Sequence, residues 1–352
     1  MFLGAYPLGG EPDAGFAFIQ APDTNFVADS GSVGLTGGEA TVAALATLTP
    51  DAGTAGLLGD TATLFSAASV ALDAGTFGLL GGVGTFVATA TVAADAGTLG
   101  LTADTASLSC AAAITTDAAT LGLLGAGADV SALANLAGAL SSVGLSGDSA
   151  TFAAAAGLTP DAGTLGLNGS AATLSSNTIL SADPGVLGLS GSSASMAAAT
   201  GFAPDAGTAG LVGAAATIGA NAAIAPASGS VGLTGDVATL GITILVVMDG
   251  GSLGLSGSQA VLSGNASITA EAGVLALQGQ QVVLSANAAV LANASVLGLS
   301  GSVATLGQTG YLVVNNGQLG MTGSSANFII GGLTSTLKRT ARLAGSRREV
   351  AI

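Results

Sequence analysis

The sequence predicts an all-β, repetitive β-solenoid, and three observations lead to that prediction. A leucine recurs every 22 residues from Leu35 to Leu299 without insertion or deletion, and Met321 closes the series. Apolar residues alternate with small or polar ones around that leucine. Of the 352 residues, 57 are glycine, which costs about 1 kcal/mol in a helix interior. A constant period is what stacked coils require, because one extra residue would move a coil's inward column out of line.

Each repeat is numbered from its leucine, which is position 0. Period-two alternation predicts a short strand around position 0, as in "TLGLT", and a longer strand across positions +5 to +13. Gly at position +2 and "DAG" at positions −6 to −4 predict turns, because Gly accepts a positive φ and Asp hydrogen-bonds the backbone that follows it. We therefore expect about fourteen coils between residues 29 and 332.

Large apolar residues recur at positions −2, 0, +7 and +13, and we expect them to face the interior. The single Cys110 is interpreted as a small buried residue. A β-prism of stacked hairpins, or three chains wound around one another, would satisfy the same columns. The representative core residues are Val33, Leu35, Val42, Leu48, Leu99, Leu101, Leu108, Leu165, Leu167, Leu253 and Leu255.

The outer positions hold mainly Ala, Gly, Ser and Thr, with Leu58, Leu80, Leu124 and Val212 at position +1. So weakly charged a surface favours side-by-side packing of copies, and we expect a homo-oligomer, with a trimer as its expected form.

Composition argues against catalysis. Only 7% of the residues are charged, and the chain has no His, no Trp and one Cys, whereas acid–base, nucleophilic and zinc chemistry draw mainly on those residue types. We expect no enzyme activity, cofactor, bound metal or small-molecule substrate. The longest strong apolar run, residues 242–248, is too short to span a membrane, and no targeting segment is expected at the N-terminus.

An acidic column at position −6 is interpreted as turn-forming, with calcium binding left as an alternative. Its representatives are Asp51, Asp73, Asp95, Asp161 and Asp205. Threonine columns at positions −3 and +6 are interpreted as β-branched ladder packing. Ice binding is the alternative, and it is disfavoured because Gly usually stands two places beyond the first of these threonines.

The two ends differ from the repeats. Residues 1–28 concentrate aromatic residues and are expected to form a cap or an attachment segment. All five basic residues lie in residues 333–352, a tail that can dock on an acidic partner, on nucleic acid or on a neighbouring copy, or can cap the solenoid. The candidate attachment residues are Phe2, Tyr6, Phe16, Phe18, Lys338, Arg339, Arg342, Arg347 and Arg348.

The unit G-T/S-V/L/F-G-L-T/S-G-x-x-A-T-L, repeated across residues 29 to 328, resembles the glycine-rich "GSFALTG" repeats of tailed-bacteriophage virion proteins. The resemblance implies a fibre, tail fibre or decoration that projects from capsid or tail, is held by one end and is assembled in the host cytoplasm. Its expected partners are copies of itself and other virion proteins, and nucleic acid is not expected. The alternative is a secreted or cell-surface solenoid of the adhesin or ice-binding type. A depolymerase fibre is a weaker third option, because such fibres need grooves of acidic and aromatic residues.

Overall fold

The computed structural model has an all-β fold of stacked parallel coils, and the β-solenoid prediction is confirmed. It describes residues 16–330, 341–344 and 348–350. The gaps within the first of these ranges are 22–25, 29–31, 45–47, 51–53, 67–69, 73, 90, 95, 112–113, 117–118, 133–135, 139–141, 155–157, 161–162, 178, 181–184, 200, 204–205, 222, 244, 265–266, 287–288, 294, 309–310 and 316–317.

The chain forms two compact units, one of residues 1–154 with 167–169 and one of residues 155–166 with 170–352. The strands up to residue 154 are β1 Phe16–Ala21, β2 Phe26–Ala28, β3 Ser32–Thr36, β4 Glu39–Ala44, β5 Leu48–Pro50, β6 Thr54–Ser66, β7 Val70–Leu72, β8 Thr76–Ala88, β9 Val92–Ala94, β10 Thr98–Cys110, β11 Ile114–Thr116, β12 Thr120–Leu124, β13 Gly127–Ala132, β14 Leu136–Gly138, β15 Ser142–Ser146 and β16 Ser149–Ala154.

The strands after residue 154 follow the same order. They are β17 Leu158–Pro160, β18 Thr164–Asn168, β19 Ala171–Ser176, β20 Ile179–Leu180, β21 Val186–Ser190, β22 Ser193–Ala198, β23 Gly201–Phe202, β24 Thr208–Val212, β25 Ala215–Ala220, β26 Ala223–Ile224, β27 Ser230–Thr234, β28 Val237–Ile242, β29 Leu245–Met248, β30 Ser252–Gly264, β31 Ser267–Ala270, β32 Val274–Ala286, β33 Ala289–Asn293, β34 Val296–Gln308, β35 Tyr311–Asn315, β36 Gln318–Thr322, β37 Ser325–Ile330, β38 Ala341–Ala344 and β39 Arg348–Val350.

Each coil contains three strands, as β12, β13 and β14 show in the first unit and β24, β25 and β26 show in the second. The expected single strand across positions +5 to +13 is therefore wrong. The chain turns between the second and third strands of a coil, where polar or small residues such as Asn221 interrupt the alternation. In β6, β8, β10, β30, β32 and β34 the first two strands run on as one strand of 13 residues.

Strand pairing within each unit is parallel and joins residues 22 apart. In the first unit Leu79 pairs with Leu101, and in the second Leu211 pairs with Leu233. A prism of hairpins would need antiparallel partners, whereas the registered pairs of the described strands are all parallel. The fixed register places every inward column in a straight stack.

The interior of each unit consists of aligned apolar columns. Phe77 and Phe86 meet edge to face in the first unit, with ring centroids 5.9 Å apart, a favoured aromatic geometry. In the second unit Leu255 and Leu277 are paired and almost fully buried. Small residues at positions +5 and +9 leave room for these large side chains, as the complete burial of Ala216 beside Ile218 illustrates.

Candidate functional site

The predicted core residues whose side chains are described are all buried. They are Val42, Leu99, Leu101, Leu108, Leu165, Leu167, Leu253 and Leu255. Val33, Leu35 and Leu48 lie in strands β3 and β5, and their side chains lie outside the described part. Cys110 is buried at the end of β10.

The acidic column at position −6 is visible at two coils. Asp51, Asp73, Asp95, Asp161 and Asp205 lie outside the described residues. Asp249 and Glu271 continue their column, and both are exposed at bends. The Glu271 N–H donates to the Met248 carbonyl oxygen at 2.9 Å, and Gly250 beside Asp249 has a φ of 88°, which favours glycine. The described members of this column therefore belong to turns.

A second acidic column at position +3 was missed by sequence reasoning. It contains Asp60, Asp104, Asp148 and Asp236, all exposed at the turn after the first strand. The 22-residue period was the signal that could have found it. Among the described residues, no group of three or more His, Cys, Asp or Glu side chains is placed to hold a metal ion.

Negative charge is concentrated at two of the three turns of a coil. Residues 29–332 contain sixteen acids, of which ten stand at position −6 and four at position +3, so fourteen occupy these two columns. The outward positions of the first strands, −3, −1 and +1, hold no charged residue from Ser32 to Thr322. The first strands therefore present an uncharged face between two acidic edges.

Hydroxyl side chains form ladders along the outer faces. Thr322 donates to Ser300 at 3.0 Å on the first-strand face, and Ser195 donates to Thr173 at 3.3 Å on the second-strand face. Both pairs are 22 residues apart, so hydroxyl groups in one column bond to each other along the stack. This arrangement agrees with ladder packing of the threonine columns.

The N-terminal attachment candidates fall partly on described strands. Phe16 and Phe18 lie in β1, while Phe2 and Tyr6 lie outside the described residues. Strand β1 pairs with β4 so that Phe16 is opposite Glu39, a step of 23 residues. The regular 22-residue register therefore begins after β1.

The basic tail continues the repeat, which sequence reasoning did not detect. Strand β38 pairs with β36 so that Leu343 is opposite Met321, and β39 pairs with β37 so that Arg348 is opposite Ala326. Arg342 lies in β38, opposite Gly320. Both steps are 22 residues, so the Leu343 and Val350 spacings were the available signal. Lys338, Arg339 and Arg347 lie outside the described residues.

A small pocket in the second unit is lined by Ile242, Leu262 and Ile268 beside Gly264. Gly264 stands at position +9, where Ile242 and Ala286 stand on the neighbouring coils. The missing side chain accounts for this pocket as a gap in packing. The described residues include no helix that could cross a membrane.

Comparison with protein-family models, with curated proteins and with solved structures finds no match. The class of protein that the fold defines is thus a parallel β-solenoid of 22-residue coils, with uncharged faces and acidic turns.

Proposed function

We propose that this chain is a non-enzymatic structural protein of a phage virion, a fibre or decoration that projects from capsid or tail. It assembles with copies of itself and with other virion proteins, and one end anchors it. The observation that carries the proposal is the constant 22-residue register of the described coils, as in the chain of pairs from β24 to β34. A scaffold that supplies length needs identical coils, whereas a ligand site needs residues that differ from coil to coil.

The surface chemistry supports the same role. The faces carry small, uncharged side chains, and the carboxylates remain at exposed turns such as Asp148 and Asp236. Exposed carboxylates keep an assembly soluble, while uncharged faces let neighbouring proteins approach. The likeness to the "GSFALTG" repeats is the basis for naming a virion as the location.

The N-terminal end and the basic tail are the two proposed anchors. Residues 1–28 carry five of the twelve aromatic residues, and residues 338–348 carry all five cations. Aromatic and basic side chains dominate the energetics of many interfaces. Anchoring through an end leaves the repeated coils free to project.

Immunogold electron microscopy of purified particles tests the proposal. Antibody to the chain should label capsid or tail of the wild-type particle. Deleting residues 1–28 or 333–352 should remove the label if that end is the anchor, while deleting one internal 22-residue repeat serves as the control and should preserve it. Recovery of the chain only in particle-free fractions would contradict the virion assignment.

A further inference from the structure

Glycine recurs at two positions of the second unit, and only one is explained within the chain. At position +2, a side chain on Gly213, Gly235 or Gly257 would overlap a carbonyl oxygen of the preceding coil. At position −1, a Cβ on Gly210, Gly232 or Gly254 would meet no atom within 4 Å. The chain itself therefore requires the first glycine column and leaves the second without an internal cause.

The backbone does not explain the second column either. None of these glycines adopts the left-handed conformation that favours the residue, since Gly250 is the positive-φ glycine among the described residues. Glycine inside a strand is less favourable than alanine by about 0.5–1 kcal/mol. Ala276 occupies the same position in one coil, so a methyl group is accommodated there. Glycine nonetheless occupies this position in six of the seven strands β21, β24, β27, β30, β32, β34 and β36.

The residues beside this column protrude and are apolar at several coils. We call the outward residues at positions −3, −1 and +1 of these seven strands the glycine face. Val212 at position +1 is 55% exposed, and Val186, Val274 and Val296 at position −3 are 42–46% exposed. Apolar ridges thus flank a groove of bare backbone. Ridges on one such face can fill the groove of another.

We infer that the glycine face is the surface through which two copies of the chain associate, which specifies the self-association included in the proposed function. Charge favours a second copy as the occupant. The formal net charge is −15, so copies repel unless their contact excludes carboxylates. The glycine face holds no charged residue, and Asp236 and Asp249 stand at the turns on either side of it. A partner selected by charge would bind those turns instead.

The available area is sufficient for a specific contact. A strand of five residues, at a rise of about 3.3 Å per residue and a strand spacing of about 4.8 Å, presents roughly 80 Å². Seven such strands give about 560 Å² per copy, or roughly 1,100 Å² in total, which exceeds the approximately 1,000 Å² expected of a biological interface. All seven strands lie in the second unit, in the register already described.

Analytical ultracentrifugation of the purified full chain tests the inference. Gly210→Val with Gly232→Val fills the groove, and the open space around each Cβ predicts that the coils still fold. Gly219→Val with Gly241→Val is the matched control, because these glycines lie on the second strands β25 and β28 with equally open surroundings. The groove variant should associate at least about tenfold more weakly than wild type, while the control should not change.

Circular dichroism checks that both variants are folded. If the groove variant fails to fold, Val212→Thr with Val274→Thr removes ridges and leaves the backbone intact, because Thr already stands at these positions in Thr234 and Thr208. This variant should also weaken association. A monomeric wild type, or equal effects of groove and control variants, would overturn the inference, even if immunogold labelling had placed the chain in virions. Association through this face without virion labelling would instead refute only the proposed location.

Discussion

Gly257 lies directly against Gly235 of the preceding coil, so close that a methyl group on Gly257 would overlap the Gly235 carbonyl oxygen. That oxygen is backbone and cannot rotate away, so Gly257→Ala must displace the stacked turn. We expect the free energy of unfolding to fall by about 1–3 kcal/mol, the usual cost of overpacking. Urea unfolding followed by circular dichroism measures the change.

The matched control is Gly254→Ala on the same strand, β30. Its Cβ would have no neighbour within 4 Å, and the unfolded chain would lose conformational freedom. Stability should therefore stay constant or rise by about 0.4–1 kcal/mol. Equal destabilisation by both substitutions would show that the stacking of the turns does not require glycine.

The paired rings of Phe77 and Phe86 make the first unit sensitive to truncation at Phe86, which is fully buried. Phe86→Ala should lower the free energy of unfolding by about 3–5 kcal/mol, because it removes apolar contacts and leaves a cavity. Phe65→Ala, at a side chain that is 46% exposed, should cost far less. Thermal unfolding of both variants measures the difference, and similar losses would show that the interior is not closely packed.

Sequence reasoning found the fold because the 22-residue period determines which residues stack. It located the inward columns through Leu99, Leu101 and Leu108, which are buried. It did not find the third strand of the coil, because strands of two to four residues such as Ala223–Ile224 are too short to show alternation. It also could not separate the two glycine columns, since only the stacked backbone shows that Gly257 meets a carbonyl oxygen and Gly254 does not.

The candidate site followed less well from the sequence. The basic tail was interpreted by its charge, and Arg342 and Arg348 hid the fact that Leu343 keeps the period. Charge is the strongest compositional signal in residues 333–352, but strand register depends on spacing. The acidic turns containing Asp104 and Asp148 were overlooked for a related reason, because small residues occupy that position in the coils between them.

Ser295 stands at position −4, where Gly273 and Gly251 stand on the preceding coils. Its side chain is buried, and its hydroxyl has no hydrogen-bond partner among the described residues. Removing an unsatisfied buried hydroxyl recovers its desolvation cost, so Ser295→Ala should raise the free energy of unfolding by about 1 kcal/mol. Ala119 occupies the same position in the first unit and is buried there, which shows that the methyl group fits.

Urea unfolding of the Ser295→Ala variant measures this gain. Ser256→Ala is the control, because Ser256 is exposed on β30 and its hydroxyl can bond to water. The control should change stability by less than about 0.5 kcal/mol. A loss of stability in Ser295→Ala would mean that the hydroxyl is hydrogen-bonded after all.

Stacking in register predicts that the second unit tolerates deletion of a whole repeat but not of half a repeat. Removing residues 234–255, which number 22, joins Leu233 to Ser256 and restores the motif "GLSG". Every remaining inward column stays aligned, so the shortened chain should keep the circular dichroism spectrum of a β protein and unfold cooperatively. Removing residues 234–244 instead shifts every following residue by eleven positions. Leu255 and Leu262 would leave their columns, and slowly exchanging amides should be lost from this unit in hydrogen-exchange measurements. Equal protection in the two deletions would mean that register does not hold these coils together.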